Sequence, residues 1–193
     1  LAHGAGNLFF NLHEDGPDFA IWCGYKYLNG GPGSLAGCFV HERHAYNNDL
    51  PRFAGWWGHS KSIRFKMEPQ FEVMPGAEGW QLSNPPILPM ACLHASFELF
   101  AQAGMTTLRK KSIELGNVLF NLLAELNHPN ISVITPKNEE ERGCQISIKV
   151  KNADKKLFQK ITANGVIADW REPDVIRIAP VPLYNTFTDV FDF

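Results

Sequence analysis

One change in the spacing of apolar residues constrains this chain most. Between Met105 and Leu126, Leu108, Leu115, Leu119 and Leu122 recur at helical spacing, with Arg109, Lys110 and Lys111 turned away. Past Asn130 the period shortens: Ile131–Thr135 reads as a strand, and Cys144–Val150 alternates. A helix is expected over about 153–163, stopped by Asn164-Gly165, then short strands over 166–168 and 175–179. Strand, strand, helix, strand, strand makes a small α+β unit with one sheet face covered. The boundary before it is expected near residues 127–131.

The first half is less regular. The run 18–23 (DFAIWC) ends at Gly24 and reads as a buried strand; a second strand is expected over 35–41. LNGGPGS between them is dense in turn formers. Residues 45–86 show no clear period, and a stretch that long inside a compact domain is usually functional. An apolar helix is expected over 89–103, with Leu93, Phe97 and Phe100 on one side and Gly104 as its breaker. There is no repeat and no low-complexity linker.

Composition narrows the class. The chain is 45% hydrophobic and 20% charged, ordinary for a globular protein of 193 residues, and large enough to need no disulfide or metal staple. A net charge of -2 gives no reason to expect a nucleic acid or an acidic membrane as partner. Cys23, Cys38, Cys92 and Cys144 form no C-x-x-C pair and read as small hydrophobes in a reducing, cytoplasmic compartment. No run of 18 apolar residues spans a membrane, and no basic start with an apolar stretch suggests a signal peptide. The chain opens at Leu1 directly into LAHGAGNLFF, so a cut within a domain is expected.

Tyr25-Lys26-Tyr27 is the most informative site. It follows an apolar strand and precedes a glycine-rich turn. Removing such a lysine from water disfavours its ammonium form, and a neutral amine condenses with an aldehyde. The blander alternative is a solvated strand-end lysine. His41-Glu42-Arg43-His44 has one residue too few between its histidines to bring both onto one helical face, so no metal site is expected. Gly31-Pro32-Gly33 leads into a strand rather than a helix and is discounted as a dinucleotide loop. No Ser-His-Asp or Gly-x-Ser-x-Gly arrangement is present.

The segment 18–44 (DFAIWCGYKYLNGGPGSLAGCFVHERH) resembles the lysine-bearing segment of kynureninases, which typically reads WCSYKYLN-x-G-x-G. The resemblance continues through GWWGH at 55–59, RFKM at 64–67, SNPPIL at 83–88, ERGCQ at 141–145 and IRIAPVPLYN at 176–185. Each block is weak alone; together, in order, they are specific.

The resemblance implies an α/β aminotransferase-like fold (fold type I): residues 1–128 end the large domain that binds pyridoxal 5'-phosphate (PLP), and residues 129–193 form a small α+β domain, incomplete at its end. It implies a homodimer that hydrolyses L-kynurenine or 3-hydroxykynurenine to an anthranilate and alanine. Lys26 would hold the cofactor and shuttle the α-proton, and Tyr25 would hold its phosphate and assist proton transfer. His3 would lie close to the ring, Trp56 and Asn84 would line the cofactor and substrate pocket, and Arg177 would pair with the substrate α-carboxylate.

Each assignment has physical sense and a plainer rival. Arginine offers a planar fork to a carboxylate, but a strand arginine is more often a surface ion pair. Asparagine offers donor and acceptor, yet Asn84 precedes two prolines and suits a turn. Trp56 and Trp57 also suit a core or an interface, and His3 suits a turn hydrogen bond. Two departures stand out. Gly24 replaces the usual Ser, and the family aspartate that pairs with the pyridine nitrogen would precede Leu1, so the 193 residues alone are expected to bind cofactor poorly. The alternatives are another enzyme of this fold, a cysteine desulfurase (Cys144 being its nearest candidate nucleophile) or an aminotransferase, and a non-catalytic dimerisation module.

Overall fold

The computed structural model describes residues 1–193, which form two compact units, Leu1–Leu99 and Phe100–Phe193. In the first, a one-turn helix α1 (Leu12–Asp15) precedes a hairpin of β1 (Phe19–Cys23) and β2 (Ala36–Val40). The strands are antiparallel, from Phe19 opposite Val40 to Cys23 opposite Ala36. The hairpin is not buried as the apolar run suggests: Ile21 is 70% exposed and Phe19 45%. It has two strands only; Phe19 meets the His44 and Trp80 rings, while Ile21 stays largely bare. Cys38 is likewise exposed and Cys23 half-buried, so neither is the buried hydrophobe expected.

Residues 45–86 are irregular, as their lack of period predicts. Three short 3-10 turns (Glu42–His44, Arg64–Lys66, Gly76–Trp80) and a His59–Val73 bridge organise this region. Buried Arg64 donates from Nη2 to the carbonyls of Trp57 (2.7 Å) and His59 (2.8 Å) and lies 4.7 Å from the Trp57 ring centroid. Helix α2 (Ile87–Ala103) follows; Leu93 and Phe100 are buried, whereas Phe97 is 44% exposed.

Gly104, at φ +75°, takes a conformation that side chains disfavour and lets α3 (Met105–Leu126) start afresh. Strands β3 (Ile131–Val133), β4 (Ile146–Val150), β5 (Asp169–Arg171) and β6 (Val175–Ile178) form an antiparallel sheet in the order β3-β4-β6-β5. Helix α4 (Lys155–Ala163) is capped by the Asp154 side chain, which accepts from the Lys156 amide at 2.9 Å. Helix α5 (Phe187–Asp192) opens on a capping box of Thr186 and Asp189.

Leu115, Leu119 and Phe120 of α3 pack with Ile146, Ile148, Ile176 and Ile178 of the sheet and Val190 of α5. Leu157 and Ile161 of α4 join the same cluster. One sheet face is therefore covered, as the element order predicts. Helix α3 contributes its apolar stripe to this core and lies in the second compact unit, which begins at Phe100. Arg109 does not turn away: its Nη2 donates to the Glu139 carbonyl, and Lys111 Nζ donates to the Pro182 carbonyl at 2.8 Å. The strand expected at 166–168 forms instead at 169–171. No helix is long and apolar enough to cross a membrane.

Candidate functional site

Lys26 lies on the long loop joining β1 to β2, and that loop is clamped. The Gly30 amide donates to the Gly24 carbonyl at 2.9 Å across its base, and the Asn29 amide to the Lys26 carbonyl at 2.9 Å. From α2, buried Ser96 Oγ donates to the Leu28 carbonyl at 2.6 Å. A backbone anchored on both sides loses little further freedom when its side chain acts. Lys26 is half-buried, with Nζ 5.8 Å from the Tyr25 ring centroid.

Tyr25 is 53% exposed. Its side-chain hydrogen bond with Cys23, and the charge that thiol would carry, push the phenol above its ordinary range. The phenol therefore stays protonated and available as a donor to an anionic oxygen.

His3 joins the same region. Residues 1–7 make a tight turn, with the Gly4 and Ala5 amides donating to the Leu1 carbonyl and Asn7 Nδ2 to the His3 carbonyl. Gly6, at φ +79°, sits so close to Tyr27 that a Cβ would lie 2.8 Å from its carbonyl. The His3 ring meets Tyr27 edge-on at 5.9 Å.

Gly24 has no room for a side chain. A Cβ there would lie 2.2 Å from the Leu35 carbonyl oxygen and 2.7 Å from Ser34 Oγ. That Ser34 hydroxyl is buried and makes no hydrogen bond. It was not singled out from the sequence, where it reads as one more turn residue; only loop closure brings it under the Lys26 turn, against Gly24 and Gly30.

Trp56 and Asn84 lie on two other segments of the first unit. The Gly58 amide donates to the Gln81 carbonyl and the Met74 amide to the Gly58 carbonyl, both at 2.8 Å. Trp56 is 40% exposed, stacks edge-on against Phe65 at 5.4 Å, and lines a shallow concavity of about 280 Å³ with His59, Arg64 and Phe71. Asn84 is exposed and accepts from Ser83 Oγ at 3.3 Å. Lys26 Nζ stands by the Tyr25 ring and His3 by Tyr27, whereas Trp56 meets Phe65 and Asn84 meets Ser83.

Arg177 belongs to the second unit. On β6 it faces away from the isoleucine core, opposite Ser147 of β4 and Asp169 of β5. It is in an ion pair, the plainer fate expected of a strand arginine: Nε donates to Asp169 Oδ2 at 2.9 Å, and Nη2 bonds the same oxygen. A concavity of about 540 Å³ in this unit lies on the core side between Leu119, Ile178, Tyr184 and Asp189, and no candidate residue lines it. Cys144 is fully buried, unlike the exposed loop nucleophile that a desulfurase requires.

Residues 108–193 match the family described as the kynureninase C-terminal domain. The chain is 57% identical over 193 residues to a curated kynureninase of Myxococcus xanthus, covering 100% of this chain and 45% of that protein. It is also 57% identical to a kynureninase of Xanthomonas oryzae pv. oryzae, covering 100% and 46%. The chain thus spans a little under half the length of these relatives.

Among solved structures it is similar to a cystine C-S lyase in complex with its product cysteine persulfide: TM-score 0.79, 18% identity, covering 97% of this chain and 48% of that one. An apo cysteine desulfurase from Thermococcus onnurineus NA1 matches at TM-score 0.78 and 16% identity, covering 100% and 49%. A mutant of the lyase, carrying glycine covalently linked to its PLP cofactor, matches at TM-score 0.75 and 19% identity, covering 98% and 49%. At such identities the likeness concerns the fold alone, and that fold is the aminotransferase-like α/β architecture expected from the sequence.

Proposed function

We propose that the chain belongs to the kynureninase family and that the protein is a PLP-dependent kynureninase. It hydrolyses the Cβ–Cγ bond of L-kynurenine or 3-hydroxykynurenine, releasing anthranilate or 3-hydroxyanthranilate and L-alanine, in tryptophan degradation and towards NAD biosynthesis. The observation that carries this reading is 57% identity to curated kynureninases along the whole chain. The protein is a cytoplasmic homodimer in this reading, and four cysteines without disulfides fit a reducing compartment. Residues 1–128 would close the large cofactor domain and residues 129–193 would form the small one.

The residues fit the cofactor. A half-buried amine stands on a clamped loop beside a protonated phenol, and under the same loop lies a buried hydroxyl without a partner. Lys26 would hold the cofactor, Tyr25 its phosphate, and His3 would lie beside its ring. When bound, PLP supplies an aldehyde for amino groups and a conjugated ring that stores the electrons released at the substrate α-carbon.

The protein's part is orientation and proton traffic. Lys26 Nζ takes the α-proton and returns it. Arg177 takes the substrate α-carboxylate on its planar fork. Trp56 offers a flat wall, and the Asn84 amide offers a donor and an acceptor to the substrate.

The test is made on the full-length protein. Wild type should release fluorescent anthranilate from L-kynurenine, and Lys26→Ala should lose at least about a thousand-fold in rate, as expected for a covalent-catalysis residue. Borohydride reduction of the PLP-loaded protein followed by peptide mapping should place a pyridoxyl group on Lys26. A label at another lysine ends the assignment.

A further inference from the structure

Building on the reading of Arg177 as the arginine that takes the substrate carboxylate, we propose that Asp169 is its positioning residue. The two are directly opposed on β5 and β6, on the sheet face turned away from the core. Asp169 Oδ2 accepts from both Nε and Nη2 of Arg177, which fixes the plane of the guanidinium and occupies one of its edges. Nη1 makes no hydrogen bond within the protein and is not buried, so the fork keeps a free end for another carboxylate.

Charge balance points the same way. Arg171 also bonds Asp169 Oδ2, from Nε at 3.1 Å and Nη2 at 2.9 Å. Two guanidiniums share one carboxylate, which leaves one positive charge uncompensated. Burial would raise the Asp169 carboxyl, but the hydrogen bonds and charges of Arg177 and Arg171 outweigh it and hold the group below the usual carboxylate range. At neutral pH Asp169 is therefore ionised. The remaining ionic groups of this face do not compete for Arg177: Lys149 pairs with Asp174 at 3.7 Å, and Ser147 opposite is neutral.

Asp169 thus acts through Arg177 by holding a long side chain in one rotamer before substrate arrives. Ordering such a side chain costs about 0.5–1.5 kcal/mol on binding, or about two- to ten-fold in affinity, when nothing has ordered it in advance.

The experiment measures kcat and KM for L-kynurenine in the full-length, PLP-loaded protein. Asp169→Asn should raise KM by about three- to ten-fold, with kcat changed less than about two-fold. Asp169→Glu keeps the charge and should lie closer to wild type; it also carries the test if the Asn variant folds poorly. In an Arg177→Ala background, Asp169→Asn should add nothing further, since both act through one contact. If Arg177→Ala raises KM and Asp169→Asn leaves it unchanged or lowers it, the positioning role is overturned while the role of Arg177 stands; a lower KM would mark Asp169 as a competitor of the substrate. A normal KM in Arg177→Ala overturns the underlying reading and this inference with it.

Discussion

At position 24 a methyl group has nowhere to go. The Leu35 carbonyl would stand 2.2 Å from it and belongs to the backbone, so it cannot swing aside as a side chain does. Gly24 is needed for space rather than for an unusual backbone angle, and the buried Ser34 hydroxyl lies against the place where a side chain would begin. Gly24→Ala should destabilise the full-length protein by about 1–3 kcal/mol, the usual cost of overpacking, read as a lower denaturant midpoint. An unchanged midpoint would mean that the loop opens to accept the methyl. Lys26 was legible in the sequence because an apolar strand, two tyrosines and a glycine-rich turn frame it. Ser34, Ser96 and Asp169 were not, since each matters through a partner that only a closed loop, a packed helix or a strand ladder brings to it: Gly24, Leu28 and Arg177.

The second-unit sheet depends on the stripe that α3 lays across it. Leu115 is fully buried at the centre of that contact, between helix and isoleucines. Leu115→Ala should cost about 2–5 kcal/mol, through lost transfer energy and the cavity left behind. Equilibrium unfolding followed by circular dichroism measures it, and a loss under about 1 kcal/mol would show that the core collapses around the gap. Helix α3 was readable because its leucines repeat at the helical period and Gly104 opens it. Strand β5 was displaced from its expected place because pairing, not apolarity, selects its residues: Trp170 faces Ile176 across the ladder, while Ile167 is 98% exposed. The β1 hairpin misled for the converse reason. An apolar run signals a strand, but whether anything covers it depends on distant residues, and here Ile21 stays bare.

The two compact units differ in how much core each possesses. Of the buried hydrophobic side chains only Leu28 and Leu93 lie in the first; the others, from Phe100 to Val190, lie in the second. The first unit relies on backbone clamps and glycine contacts and leaves Phe53, Phe65 and Met67 more than 70% exposed. In the 193-residue chain, hydrogen exchange should therefore be slowest at the amides of β4 and β6 and faster throughout β1 and β2. Equal protection of both sheets would contradict this division. Period, turn chemistry and the spaced motifs were enough to give the β1–β2 hairpin with its loop, the two long helices, the order of elements from β3 to β6 and the covered sheet face, but not α1 or α5. Tertiary structure alone decided that α3 joins the second unit, that Gly24 admits no side chain and that Asp169 grips Arg177. Those outcomes rest on contacts across a loop, along a strand ladder and between helix and sheet, whose geometry exists only once the backbone has closed.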